Sequence, residues 1–156
     1  MIARVPIEVR DANAADLDAV AGLFLQYLAF YEHAADEQRV RDFLRARFAS
    51  DDTVLLIAEA DGKRPAVGLA QAYRSWSSVS LGPVWVLNDL FVEPAARGTG
   101  AGRALVRAIC ERAKEAGAIR VSLATAWDNV AAQGLYESEG FARDVAFLHY
   151  AKVTGA

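Results

Sequence analysis

The sequence has one cysteine, one methionine, two histidines and four prolines in 156 residues. A single cysteine excludes an intrachain disulfide. Cys110 also falls on an apolar face with Leu105, Val106, Ile109 and Ala113, so it reads as a packing thiol rather than a nucleophile. His33 and His149 stand far apart, and no cysteine or carboxylate cluster has ligand spacing, so no metal site is expected. Long apolar runs are missing too: none approaches the roughly 20 residues that cross a bilayer. The amino-terminal stretch MIARVPIEVRDANAADL places charged and polar residues where a signal peptide needs an unbroken apolar segment. These features lead us to expect a soluble, cytoplasmic protein without a membrane partner.

Positive charge is the minority sign, with 17 Lys and Arg against 20 Asp and Glu and a formal net charge of −3. Binding to nucleic acid relies on clustered cations that neutralise phosphates, so nucleic acid is not expected as a partner. An acidic surface instead gives a weak bias towards cationic ligands.

Apolar residues are plentiful, at 54% of the chain, which at this length suffices for the core of one domain. No repeat, low-complexity tract or linker divides the sequence, and a single domain over residues 1–156 is expected. Periodicity and turn residues predict a strand over 2–10, then a helix capped by Asn13 or Asp16 and a second helix over 37–48. Strands over 53–60 and 66–74 flank an Asp61-Gly62 turn, and residues 75–80 read as a loop. A strand over 84–92, a helix over about 100–116, a strand over 121–125, a short helix over 129–138 and a last strand over 145–152 complete the order.

Between the strand at 84–92 and the helix that follows lies the most informative segment, LFVEPAARGTGAGRAL. Gly98, Gly100 and Gly102 lack a Cβ, so the backbone can curl and aim successive N–H groups at one point. The helix adds its unpaired first-turn donors and the positive end of its dipole. Phosphate or pyrophosphate suits such a turn. A Walker loop is excluded because no Gly-Lys-Ser/Thr follows at the required spacing, and a dinucleotide fingerprint fails because Arg103 stands where its third glycine belongs.

Arg97-Gly98-Thr99-Gly100-Ala101-Gly102 resembles the Arg/Gln-x-x-Gly-x-Gly/Ala signature of the GCN5-related N-acetyltransferase (GNAT) family. The lead-in Leu90-Phe91-Val92-Glu93-Pro94 matches that family's apolar strand ending in Val-x-Pro, and Asn129, Tyr136 and Gly140-Phe141 match its downstream frame. The resemblance covers at least residues 84–150. It implies an α/β (α+β) fold with a mixed, partly open sheet of six to seven strands flanked by about four helices.

By the same resemblance, the protein transfers acetyl from acetyl-CoA to a primary amine by direct attack in a ternary complex, without a metal. The amine is a small, polyamine-like or lysine-like molecule. The backbone of Leu90, Phe91 and Val92 would then bind the pantetheine arm, and the amides from Gly98, Thr99, Gly100, Ala101 and Gly102 to Arg103 the pyrophosphate. Arg97 and Arg103 either add charge near phosphate or are solvated surface residues. Asn129, an N-cap by its chemistry, and its neighbour Ala132 would touch the pantetheine. Tyr136 is placed to protonate the departing sulfur. Asp89 is the candidate proton acceptor or ammonium anchor, against the plainer reading of a carboxylate that fixes a neighbouring loop.

Tyr31-Glu32 and the Asp-Leu-Phe-Val stretch are similar to the spermidine/spermine and thialysine acetyltransferases, where that pair helps to bind polyamine. The chain departs from that branch at Asn88, where those enzymes carry a glutamate base and an amide cannot accept the proton. A group resembling the histone acetyltransferase Hpa2 shares Leu-x-Asp-Leu-Phe/Tyr-Val. Phe30, Tyr31, Trp85, Trp127 and the segment at 73–78 are further candidates for an amine pocket. A homodimer, often formed in this family through the final strands, is expected. The competing reading is a non-catalytic CoA-binding regulatory module.

Overall fold

The computed structural model of the chain describes residues 5–155. Five strands form one sheet in chain order: β1 (Ile7–Asp11), β2 (Thr53–Ala60), β3 (Lys63–Ser77), β4 (Gly82–Val92) and β5 (Val121–Leu123). The first four are successive antiparallel neighbours, and β5 joins parallel to β4. The helices are α1 (Leu17–Phe30), α2 (Glu37–Phe48), α3 (Ala101–Glu115) and α4 (Val130–Ser138). The mixed α+β class and the helix count agree with the sequence-based expectation.

Local chemistry sets the helix starts. Asn13 accepts a hydrogen bond from the Ala15 amide while Asp16 accepts one from the Asn13 amide, a capping box closing the single 3-10 turn that leads into α1. Asp36 caps α2 by accepting from the Arg39 amide at 3.0 Å. The sheet is covered on both faces, which explains why β2 reads as a nearly continuous apolar run. Leu55, Ile57, Leu69 and Phe91 pack with Val20, Leu23, Phe24, Val40 and Leu44 of α1 and α2. On the opposite face Val54, Leu56, Ala58, Ala70 and Leu87 meet Leu105, Val106 and Ile109 of α3. Cys110 packs against this second layer, where burial pushes its thiol pKa up.

Several boundaries differ from the expectation: β3 starts at Lys63 rather than 66, β4 at Gly82 rather than 84, and β5 ends at Leu123 rather than 125. β3 runs on to Ser77, taking in half of the segment read as a loop. β1 begins at Ile7; residues 2–4 of its expected span lie outside the described residues. The strand expected over 145–152 does not form, so the sheet has five strands among the described residues rather than six or seven. Apolar residues supply surface but no ladder, and a strand needs a hydrogen-bonded neighbour. Here Val145 is 94% and Phe147 74% exposed, with nothing to pack against.

One irregularity organises the site. The β3–β4 register passes from Gln71↔Asp89 to Ala72↔Leu87, which leaves Asn88 as an extra residue in β4. The bulge reverses facing, so Phe91 packs with α1 and α2 whereas Leu87 packs with α3. Beyond it β4 and β5 part company, since their pairing is confined to Trp85, Val86 and Leu87 against Val121, Ser122 and Leu123. Among the described residues, β4 from Asn88 to Val92 has a strand neighbour on the β3 side alone.

Candidate active site

The free side of β4 leads directly into the glycine turn. After Val92 a 3-10 turn over Pro94–Ala96 redirects the chain, and α3 starts at Ala101 with Gly100 as its N-cap. Gly98 has φ +78° and Gly100 φ +97°, left-handed backbone that side chains oppose. The amides of Gly98, Gly100, Ala101, Gly102 and Arg103 bond to no backbone carbonyl among the described residues. Five donors therefore converge around one helix start, where the helix dipole adds to their positive potential.

The two arginines flanking the turn are engaged elsewhere. Arg97 donates from Nε to the Val92 carbonyl at 3.1 Å, and its guanidinium lies 5.8 Å from the ring centres of both Phe30 and Phe91. Arg103 pairs with Glu139, which also binds Arg107 at 2.7 Å. The main chain, rather than either guanidinium, is what the turn offers an anion. Thr99 spends its hydroxyl on the Ala96 carbonyl at 2.6 Å.

Asn129 occupies the N-cap of α4, its side-chain oxygen accepting from the Ala132 amide at 3.2 Å. Tyr136 is buried within α4, its ring edge-on to Phe141 at 5.9 Å. Burial, followed by the influence of Tyr31, pushes its phenol pKa up to about 12. Tyr136 thus keeps its proton through neutral and mildly alkaline pH, as a proton donor must.

Asp89 is 6% exposed and lies across the ladder from Gln71. Its Oδ2 accepts from Gln71 Nε2 at 2.8 Å and from Asn88 Nδ2 at 3.1 Å. The contrast with the other buried carboxylates is informative. Asp16 and Glu59 share Arg10 at 2.8 and 2.7 Å, and that guanidinium holds the Asp16 pKa down at about 2. Among the described residues no basic side chain pairs with Asp89; its donors are neutral amides. A buried carboxylate without a cation is costly, and it is suited to receiving one.

Aromatic rings surround this carboxylate. Tyr27 of α1 stacks edge-on to Tyr31 at 5.1 Å and lies 6.0 Å from Phe91; burial, then the Asp89 charge, raises its phenol pKa. Tyr73 accepts from Gln71 Nε2 at 2.9 Å, and burial followed by Asp89 raises its pKa as well. Tyr31 and Phe30 are half-exposed at the end of α1. Glu32 sits just beyond them in an exposed left-handed turn, φ +54°. Trp85 is buried on the α3 face beneath the Arg74 guanidinium, and Trp127 is 94% exposed, so neither ring belongs to this cluster.

Tyr27 and Gln71 are the residues that sequence reasoning missed. Tyr27 is hidden because its position fits an ordinary core stripe. Gln71 left a trace: it is the one polar residue in Ala66–Ala72, on the same side of its strand as the core residue Leu69.

A sheet split at a bulge and a donor-rich turn opening a helix define an acyl-transferase fold, and the comparisons with known proteins agree. Residues 20–141 match the Acetyltransferase (GNAT) family, and the chain belongs to it. It is 42% identical over 144 residues, 92% of this chain and 95% of the relative, to the Bacillus subtilis (strain 168) protein YhfO, named an N-acetyltransferase. It is 38% identical to mycothiol acetyltransferase of Kineococcus radiotolerans over 86% of this chain, corresponding to 42% of that longer protein. Among solved structures, a probable acetyltransferase superposes with a TM-score of 0.90 at 34% identity, covering 96% of this chain and 99% of the other. Aminoglycoside N-acetyltransferase AAC(6')-Iy, solved with CoA, shares the fold with a TM-score of 0.80 at 22% identity, covering 97% of this chain and 99% of its own. The protein is a GNAT-type acetyltransferase.

Proposed function

We propose that the protein transfers the acetyl group of acetyl-CoA to a primary amine that arrives as a cation. The observation that carries this reading is the buried Asp89 carboxylate, which has no basic partner among the described residues and lies with Tyr27 and Tyr73 beside the unpaired side of β4. Amides of Gly98 and of Gly100 to Arg103 would hold the pyrophosphate. The backbone of Leu90, Phe91 and Val92 would hold the pantetheine, with Asn129 and Ala132 on its other side. The CoA-bound neighbour of the same fold supports this placement.

In this scheme Asp89 draws in the ammonium and accepts one of its protons, directly or through water, because only the neutral amine attacks. The C–N bond then forms as the C–S bond breaks. Sulfur takes the proton of Tyr136, and the second proton leaving nitrogen restores the phenol. Tyr31 and Glu32 at the mouth would recognise the rest of the acceptor. The amine pool and the cytoplasmic setting belong to the same proposal.

Release of free thiol from acetyl-CoA against spermidine, lysine methyl ester, tyramine and kanamycin tests the scheme. Transfer to at least one cationic amine, abolished in Asp89→Asn, is expected. Tight CoA binding in calorimetry with no transfer to any of them would favour the non-catalytic module.

The protein also pairs with a second copy in this proposal. Residues 145–153 carry exposed Val145, Phe147, Leu148, Tyr150 and Val153, and among the described residues β5 has β4 as its single strand neighbour. The tail of one copy would supply the strand that β5 of the other lacks.

A further inference from the structure

We infer that Gln71 is a positioning residue, one that turns Asp89 so that a single carboxylate oxygen faces the acceptor amine. The inference rests on Asp89 being the proton acceptor proposed above, and it adds a residue that carries no motif and touches no expected ligand.

The geometry runs in one direction. Gln71 stands directly across the β3–β4 ladder from Asp89, at the last regular pair before the bulge at Asn88. Its side chain is fully buried, at 0% exposure. A carboxylate can only accept, so the amide must present Nε2, and the flipped alternative would set oxygen against oxygen. Nε2 gives one proton to Asp89 Oδ2 at 2.8 Å and the other to the Tyr73 hydroxyl at 2.9 Å. Asn88 donates to the same Oδ2 at 3.1 Å. Both amide donors therefore meet one oxygen, Oδ2, while the Tyr27 phenol hydrogen-bonds the same carboxylate.

A second observation separates this role from simple packing. Gln71 Oε1 is buried without any hydrogen-bond partner. An orphaned buried carbonyl oxygen is unfavourable. Leucine or methionine would fill the same space without that penalty. What the amide offers in exchange is its pair of donors, and both go to groups around the acceptor pocket. The titratable groups that feel the Asp89 charge are Tyr27 from α1 and Tyr73 from β3, both phenols whose pKa is raised. No charge on these elements substitutes for the Gln71 contact.

The test uses Gln71→Met, which keeps the volume and removes both donors, and Gln71→Glu, which keeps the shape and sets a second carboxyl against Asp89. Asp89 is followed by its 13Cγ signal, assigned by its loss in Asp89→Asn, so that the readout needs no amine. Kinetics use acetyl-CoA with the fastest amine of the panel above. Losing a donor to the anion, or gaining a like charge beside it, should move the carboxyl titration and the acid limb of kcat/KM up by about one pH unit or more. In both variants kcat should fall about tenfold, since proton transfer is impaired, while KM for acetyl-CoA stays at the wild-type value.

A 13C titration unchanged in both variants overturns the role of Gln71, whatever happens to stability. An acid limb that survives in Asp89→Asn overturns Asp89 as the acceptor instead, while the carboxyl titration still decides whether Gln71 holds it. If Gln71→Met does not fold, Gln71→Glu alone decides by the same two measurements.

Discussion

At the scale of single residues, the proposed acid and the proposed acceptor differ in environment. Tyr136 and Asp89 are both buried, yet one is a phenol whose pKa burial lifts to about 12, and the other is a carboxylate supported by two neutral amides. The sign of the Tyr136 shift is that of a neutral acid that keeps its proton. The protonated form prevails below about pH 12, so activity should show no loss from phenol ionisation near pH 10, where an ordinary tyrosine would titrate. A pH–rate profile with an alkaline limb that disappears in Tyr136→Phe and has its midpoint near 10 would contradict this. Tyr136→Phe keeps the ring against Phe141 and removes the proton. We expect kcat to drop on the order of a hundredfold or more with CoA affinity unchanged, and a variant that keeps full turnover would take Tyr136 out of the mechanism.

Elements decide where those residues can act. The turn before α3 works through backbone shape, so its sensitive positions are the ones with left-handed φ. Gly100→Val places a β-branched side chain at φ +97°, which costs on the order of 1–2 kcal/mol or more locally and misdirects the amides behind it. Calorimetry should show CoA binding weakened at least tenfold, while Thr99→Ser stays near wild type. Equal affinity in the two variants would mean that the anion sits elsewhere. This part of the site was legible in the sequence, because glycine spacing after an apolar strand is a local signal. α2 and β2 were likewise read to the residue, since capping and periodicity act within a few positions. The bulge was not legible. Asn88 becomes an extra residue only once β3 lies beside β4, and with the bulge comes the placement of Gln71 against Asp89.

For the whole molecule, the sequence pattern again went only part of the way. The apolar tail over 145–152 predicts one more strand, and the chain leaves that tail exposed. In the dimer proposed above, a second copy would supply the neighbour that this tail lacks. Light scattering after size exclusion should give a dimer for the intact chain and a monomer for a chain ending at Asp144. A monomeric intact chain would refute the proposed exchange of tails.

The parting of β4 from β5 has a consequence of its own. Two strands that stop pairing midway leave two lips of peptide dipoles lining a wedge. In water these dipoles are solvated, so the opening costs little while it stays wet. A greasy guest would strip that water and return nothing. A guest able to close the wedge must bring amide-like groups at peptide spacing, behaving in effect as a borrowed length of polypeptide.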